Sequence, residues 1–147
     1  MAISFSFQKN DFVLIEPNKI KKWVSEVICR RGKQLGKISY CFCDDEYLFD
    51  INQRFLNHDT FTDIITFDYV VADLISGDIM ISVDRVGENA DKCGVSFEQE
   101  LLRVIIHGVL HLLGQGDKSE VEALEMRCQE EAALALWKDM FLVEHVC

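Results

Sequence analysis

Residues 96–117 read SFEQELLRVIIHGVLHLLGQGD and carry the clearest helical pattern of the chain. Ser96, with Gln99 three positions later, fits a capping box at the start of a helix. The apolar residues that follow recur with helical period. Gly114 can adopt the left-handed backbone that turns a chain out of a helix. We therefore predict a helix that begins at Ser96, continues through Leu113 and stops at Gly114.

The rest of the chain predicts about four strands and four or five helices in all. Alternating apolar residues indicate strands at 3–7, 37–44, 63–71 and 73–83. Helical spacing indicates further helices at 18–31, 45–56, 84–90 and 118–140, the first capped by Asn18. In the last helix the predicted inward positions are Leu124, Cys128, Ala132, Leu136 and Phe141. The strands precede the two long helices, which favours an α+β fold with one small mixed sheet over a doubly wound sheet.

Length and composition indicate one globular domain over residues 1–147. Hydrophobic residues make up 49% and charged residues 27%, which excludes disordered and low-complexity classes. The chain has no apolar run of the roughly 20 residues that a membrane span needs, and its N-terminus lacks a secretory signal pattern. We expect a cytoplasmic protein without a membrane partner, whose six cysteines are free thiols.

The charge is unevenly distributed along the chain. The formal net charge is −10, so nucleic acid repels the molecule on average. Residues 17–37 nevertheless carry seven basic residues and one acidic residue, which leaves a charge of −16 on the remainder. This basic segment is either an anion-facing patch or a solvated helix face.

Two of the four histidines lie on the predicted helix at residues 96–113. His107 and His111 are one turn apart on one face, so both imidazoles can bind the same ion. Gly114 follows, and Asp117 comes where a reversed chain can bring a carboxylate back to the pair. Three protein ligands with an open fourth position are typical of a catalytic zinc site, at which a bound water has a pKa near 7. The alternative is a pair of core histidines bonded to backbone carbonyls.

Position 108 distinguishes this pattern from that of zinc peptidases. In the peptidase motif H-E-x-x-H, the glutamate after the first histidine is the general base. Here the residue is Gly108, so hydrolysis of a peptide lacks its proton acceptor. A phosphodiester substrate needs charge neutralisation more than a carboxylate base. Arg103 lies four residues before His107 on the same face, where it either contacts a phosphate oxygen or pairs elsewhere.

Three blocks of the sequence resemble the YbeY-type endoribonucleases. Residues 107–114 resemble the family's metal motif H-G-x-L-H-L-x-G. Residues 51–67, INQRFLNHDTFTDIITF, resemble the family's stretch L-N-x-x-Y-R-x-K-D-x-P-T-D-V-L-S-F. Residues 77–82, GDIMIS, resemble its strand G-D-I-x-I-S. The blocks occur in the family's order and at compatible spacing.

The resemblance implies a zinc-dependent hydrolase fold with a zincin-like metal helix beside a sheet, and one Zn²⁺ per chain. It implies that His107 and His111 are zinc ligands. It also implies cleavage of single-stranded RNA, and roles in small-subunit (16S) rRNA maturation and ribosome quality control. The expected partners are single-stranded RNA or rRNA and the ribosome or its small subunit, and no DNA substrate is expected.

Four positions depart from the family pattern. The third ligand, usually histidine, is Asp117, which adds negative charge and should make zinc a weaker Lewis acid. The family's arginine falls on Leu56, its lysine on His58 and its proline on Phe61. We therefore expect Arg103 to be the catalytic cation and His58 to contact the substrate.

The leading prediction is a metal-dependent endoribonuclease of rRNA processing with His107, His111 and Asp117 as metal ligands. The uncharged Leu56 favours an alternative, a non-catalytic ribosome-associated assembly factor that retains a structural metal site. The charge of −10 favours a second alternative, a hydrolase for a substrate other than RNA.

Overall fold

The computed structural model describes residues 2–58 and 60–142, so Asp59 of the second family-like block lies outside the described residues. Within these ranges the chain forms four strands and five helices. The strands are β1 (Ile3–Phe7), β2 (Gln34–Cys43), β3 (Ile64–Asp68) and β4 (Leu74–Ser82). The helices are α1 (Pro17–Arg30), α2 (Asp45–Leu56), α3 (Val83–Cys93), α4 (Phe97–Leu112) and α5 (Glu120–Phe141).

The strands form one mixed sheet in the order β1-β2-β4-β3. β2 is parallel to both β1 and β4, whereas β3 pairs antiparallel to β4, with Ile65 opposite Met80. One face packs against α1 and α4, and α2 covers part of the other face. The predicted α+β fold with a single small mixed sheet is confirmed.

Two buried polar side chains connect the core layers. Tyr40 of β2 donates its hydroxyl hydrogen to the carbonyl oxygen of Ile105 in α4 at 3.1 Å. The indole Nε1 of Trp23 in α1 donates to the carbonyl oxygen of Ala133 in α5 at 2.8 Å. Because both polar atoms are hydrogen-bonded, the large rings can be buried without leaving an unsatisfied donor.

α4 lies close against the sheet, and Gly108 is one of its points of close contact. A Cβ atom at Gly108 would lie 3.0 Å from Cδ1 of Ile79 and 3.1 Å from Cδ1 of Ile64. The helix begins where predicted, because the Ser96 hydroxyl accepts the backbone N–H of Gln99 at 3.1 Å. It is followed by Gly114 with a φ of +99°. The residue after His107 therefore packs on the sheet, where the glutamate of a peptidase has no room.

The predicted cap of α1 is wrong. Pro17 is the first residue of the helix, and Glu16 is its N-cap with a φ of 56°. Proline fixes φ near the helical value and has no N–H to satisfy, so it is favoured at the first helical position. Asn18 consequently lies inside the first turn rather than before it.

The buried face of α5 also differs from the predicted one. Leu124 is 69% exposed, and Cys128 and Ala132 are exposed as well, whereas Phe141 is buried as predicted. The other buried residues of this helix are Met126, Glu130 and Ala133. The face that packs on the core thus includes a glutamate. The five cysteines within the described ranges are free thiols. None of the helices described here combines the length and apolarity needed to cross a membrane.

Candidate metal centre

The C-terminal half of α4 and the turn that follows it hold the three predicted metal ligands. His107 and His111 lie on successive turns, with ring centroids 4.5 Å apart. Asp117 comes from the turn between α4 and α5. All three side chains are partly exposed, so the group they form is open to solvent.

The ligand atoms converge on one point. Oδ2 of Asp117 lies 3.4 Å from Nε2 of His107 and 3.4 Å from Nε2 of His111. The three ligand atoms all lie within 4.8 Å of one another. Metal–ligand bonds of about 2.0–2.2 Å in tetrahedral arrangement place two ligand atoms about 3.3–3.5 Å apart. The carboxylate-to-imidazole distances therefore suit a tetrahedral divalent cation.

The other ring nitrogen of each histidine is already hydrogen-bonded. Nδ1 of His111 donates to the carbonyl oxygen of Gln115 at 2.9 Å, and Nδ1 of His107 donates to Oε2 of Glu130 at 2.6 Å. Because both acceptors hold the proton on Nδ1, the lone pair of each neutral ring is on Nε2, which faces Asp117. Metal-binding histidines are held in this way in proteins. The protonation of the two histidine rings and their distances from Asp117 thus both suit a bound metal ion.

Contacts on both sides fix the turn that carries Asp117. The backbone N–H of Gln115 donates to the carbonyl oxygen of Leu110 at 2.9 Å, and Oε1 of Gln115 accepts from Nε2 of Gln129 in α5 at 2.9 Å. A Cβ atom at Gly116 would lie 2.9 Å from the side chain of Glu122, so the turn lies close against the start of α5. The sharp reversal predicted from Gly114 is therefore held by both helices.

Sequence reasoning missed Glu130. Its side chain is 7% exposed, and its two oxygens accept from Nη1 of Arg103 at 2.8 Å and from Nδ1 of His107 at 2.6 Å. Burial acts to raise the pKa of Glu130, but the bonds to His107 and Arg103 outweigh it and hold that pKa below its ordinary value. Burial likewise acts to lower the pKa of His107, and the bond and charge of Glu130 raise it instead. No local sequence signal marked it, because Met126 and Ala133, which share its buried face, are not on the predicted inward face.

Arg103 lies beside the predicted ligands, with its guanidinium directed at α5. Nη1 donates to Glu130, Nη2 donates to Glu131, and Nε lies 4.0 Å from Oε1 of Glu100. Its side chain is 14% exposed. That Arg103 contacts a phosphate stays a prediction.

His58 and Leu56 lie at the end of α2. His58 is exposed, and its backbone N–H donates to the carbonyl oxygen of Asn52 at 3.2 Å. Its side chain does not line the cavity beside His107. Leu56 is 41% exposed, so the apolar side chain at the family's arginine position faces solvent. That His58 binds substrate stays a prediction.

A cavity of about 450 Å³ is lined by two of the predicted ligands, His107 and Asp117. The polar side chains on its wall include Asp63, Arg103, His107, Asp117, Arg127 and Glu130. Burial raises the pKa of Asp63 above its ordinary value, while His107 opposes that shift. The wall thus offers two arginines among several carboxylates.

Surface ion pairs engage three of the seven basic residues in the segment at residues 17–37. Lys19 pairs with Glu16 at 2.7 Å, and Arg30 pairs with Glu26 at 2.7 Å. Lys33 pairs with Asp73 at 3.0 Å. These contacts favour the interpretation as a solvated helix surface over that as an anion-facing patch.

Comparison with known proteins identifies the family to which the chain belongs. A family sequence model described as Endoribonuclease YbeY matches residues 4–138. The chain belongs to this endoribonuclease family. The resemblance that the three sequence blocks suggested is confirmed, and so is the prediction that the protein is a nuclease enzyme.

Individual relatives match most of the chain. The Endoribonuclease YbeY of Flavobacterium psychrophilum is 53% identical over 135 residues, which cover 92% of this chain and 96% of that relative. The protein of the same name from Porphyromonas gingivalis (strain W83) is 52% identical over 120 residues, or 82% and 80% of the two chains. The solution structure of TM1509 from Thermotoga maritima has a TM-score of 0.63 at 24% identity, over 95% of this chain and 93% of that one. This last likeness concerns the fold, and it agrees with the predicted α+β architecture.

Proposed function

We propose that this chain is a zinc-dependent endoribonuclease that cleaves single-stranded RNA and works as one hydrolase domain over residues 1–147. The observation that carries the proposal is the 3.4 Å approach of one Asp117 oxygen to Nε2 of both His107 and His111, beside an open cavity. Membership of the YbeY family and the names of its relatives support RNA as the substrate.

In this proposal His107, His111 and Asp117 hold the ion. When bound, zinc supplies a Lewis acid that activates water and neutralises phosphate charge. The two histidines bind as neutral rings, since each keeps its proton on Nδ1. Asp117 contributes the single negative charge among the ligands, so the bound group as a whole remains positive toward an anionic substrate.

The cavity wall has to accommodate a phosphodiester anion. Glu130 and Asp63 disfavour such an anion, and Arg103 and Arg127 favour it. We assign Arg103 to stabilising the charge that develops on the phosphate oxygens, because it lies one turn before His107 on the cavity wall. We assign His58 to a contact with RNA outside the cavity, because it is exposed.

We further propose that the RNA is 16S rRNA of the small subunit, that the enzyme acts in its maturation and in ribosome quality control, and that it works in the cytoplasm. The net charge of −10 disfavours wide electrostatic contact with bare RNA. We therefore expect contact with RNA to be confined to one short unpaired segment at the cavity.

The test uses purified, zinc-loaded protein on a single-stranded RNA, the matching duplex and a DNA of the same sequence. We expect cleavage of the single-stranded RNA alone, and none by a His111→Ala variant. Metal analysis of both proteins shows whether the variant lost its ion. A fully zinc-loaded wild-type protein that leaves single-stranded RNA and small subunits intact would overturn the proposal.

The exposed, uncharged Leu56 favours a second candidate function, a ribosome-associated assembly factor with a structural metal site. Such a protein would sediment with small subunits and would melt at a lower temperature without zinc. It would cleave neither free nor subunit-bound RNA, so the same assay separates the two functions.

A further inference from the structure

Glu130 bridges two side chains of the helix that carries the histidines. Arg103 and His107 are one turn apart on α4, and the Glu130 carboxylate enters between them from α5. Oε1 accepts from Arg103 and Oε2 accepts from His107, so each oxygen has a different partner. The carboxylate cannot turn without losing one of the two bonds.

We propose that Glu130 is a positioning residue for the metal site: it holds the proton of His107 on Nδ1 and directs Nε2 toward the ion, and Arg103 holds Glu130 in place. The inference rests on the metal site of the proposed function. Glu130 itself is not a ligand, because its oxygens are bonded to Arg103 and to the far side of the His107 ring.

The place of Glu130 in the fold supports a role beyond packing. Its neighbours on the buried face of α5 are Met126 and Ala133, so an apolar residue would fill the position at lower desolvation cost. The bond to His107 is 2.6 Å long, slightly shorter than the roughly 2.7–2.9 Å of charge-assisted N–H···O hydrogen bonds. His111 receives the equivalent support from the carbonyl of Gln115, so both rings are oriented through Nδ1.

Glu131 offers a matched control for Glu130. It is the next residue, it accepts from the same arginine, and its side chain is 59% exposed. It bonds to Arg103 alone, as far as the described residues show. Glu130→Gln and Glu131→Gln therefore remove the same charge beside the same guanidinium, but only the first weakens the acceptor of His107.

The experiment measures Zn²⁺ affinity by competition with a chelator, together with ¹⁵N NMR of the histidine rings in the zinc-loaded protein. We expect Glu130→Gln to weaken zinc binding by about 10- to 100-fold, and Glu131→Gln to change it less than threefold. In the wild-type spectrum His107 should be protonated on Nδ1 and metal-bound through Nε2. The His111 ring should give the same signals in wild type and in both variants.

Equal zinc affinities in wild type and Glu130→Gln, or a His107 ring bound to zinc through Nδ1, would overturn the inference. The NMR result needs no variant, so it decides the question even if Glu130→Gln fails to fold. Neither measurement involves RNA. A protein that binds zinc as described but cleaves no RNA would refute the proposed function and leave the role of Glu130 intact.

Discussion

Replacing Asp117 with alanine removes one of the three side chains that converge on the proposed ion. Its carboxylate oxygen lies 3.4 Å from Nε2 of each histidine, a separation that suits shared coordination. Structural zinc sites with four ligands bind with about 10–16 kcal/mol at pH 7, or about 2.5–4 kcal/mol per ligand. We therefore expect Asp117→Ala to weaken zinc binding by about 100- to 1,000-fold.

The assay is a chelator competition on wild type and three variants at position 117. Asn keeps the size of Asp117 without its charge, and His supplies the usual ligand of the family, so affinity should decrease in the order His, Asn, Ala. The Asp117 side chain is 38% exposed, so the metal-free proteins should melt within about 2 °C of one another. An alanine variant that binds zinc within threefold of wild type, with unchanged melting, would refute the assignment of Asp117 as a ligand.

Three further predictions concern α4 and its neighbours. Gly108→Glu should lower the free energy of unfolding by about 3 kcal/mol or more, because the new side chain meets Ile79 and Ile64 in the core; unchanged urea unfolding would contradict this. Arg103→Ala should slow RNA cleavage by about 100-fold at matched zinc occupancy, and undiminished cleavage would exclude Arg103 from the reaction. The pKa of His107 is raised in the folded protein, so protonated His107 stabilises the metal-free fold. This contribution is complete below the ordinary pKa of 6.5 and is lost as the pH rises through the raised pKa. Melting of the metal-free protein should therefore show a loss of stability above about pH 6.5 that Glu130→Gln lacks.

Local sequence signals predicted α4 and the convergence of His107, His111 and Asp117 well. The Ser96 hydroxyl and the backbone of Gly114 act on residues next to them in the chain, so their effect can be deduced without the rest of the fold. The helical period then fixes the relation of His107 to His111. For Asp117 the prediction required only that the chain reverse at Gly114, and the structure places its carboxylate beside both rings.

The buried face of α5 could not be deduced in the same way. Apolar residues occur around much of this helix, and Leu124 and Val121 are 69% and 77% exposed. The face that becomes buried is determined by contacts with α4 and α1, such as the bond from Trp23 to the carbonyl oxygen of Ala133. These contacts join residues far apart in the chain, by 110 positions in that bond and by 27 between Arg103 and Glu130, so no local pattern shows them. The error about the inward face is the reason that Glu130 was missed.

The two sides of α4 explain why one helix can serve both the core and the candidate metal site. Arg103, His107 and His111 follow each other at four-residue spacing, and the first two contact α5 and line the cavity. Gly108 is rotated by about 100° from His107 and faces the sheet. Because a side chain at position 108 would separate α4 from β4, glycine allows the close packing that fixes the direction of the histidines. The absence of the peptidase glutamate is therefore a consequence of how the helix packs. Any general base for RNA cleavage then has to come from a residue other than position 108.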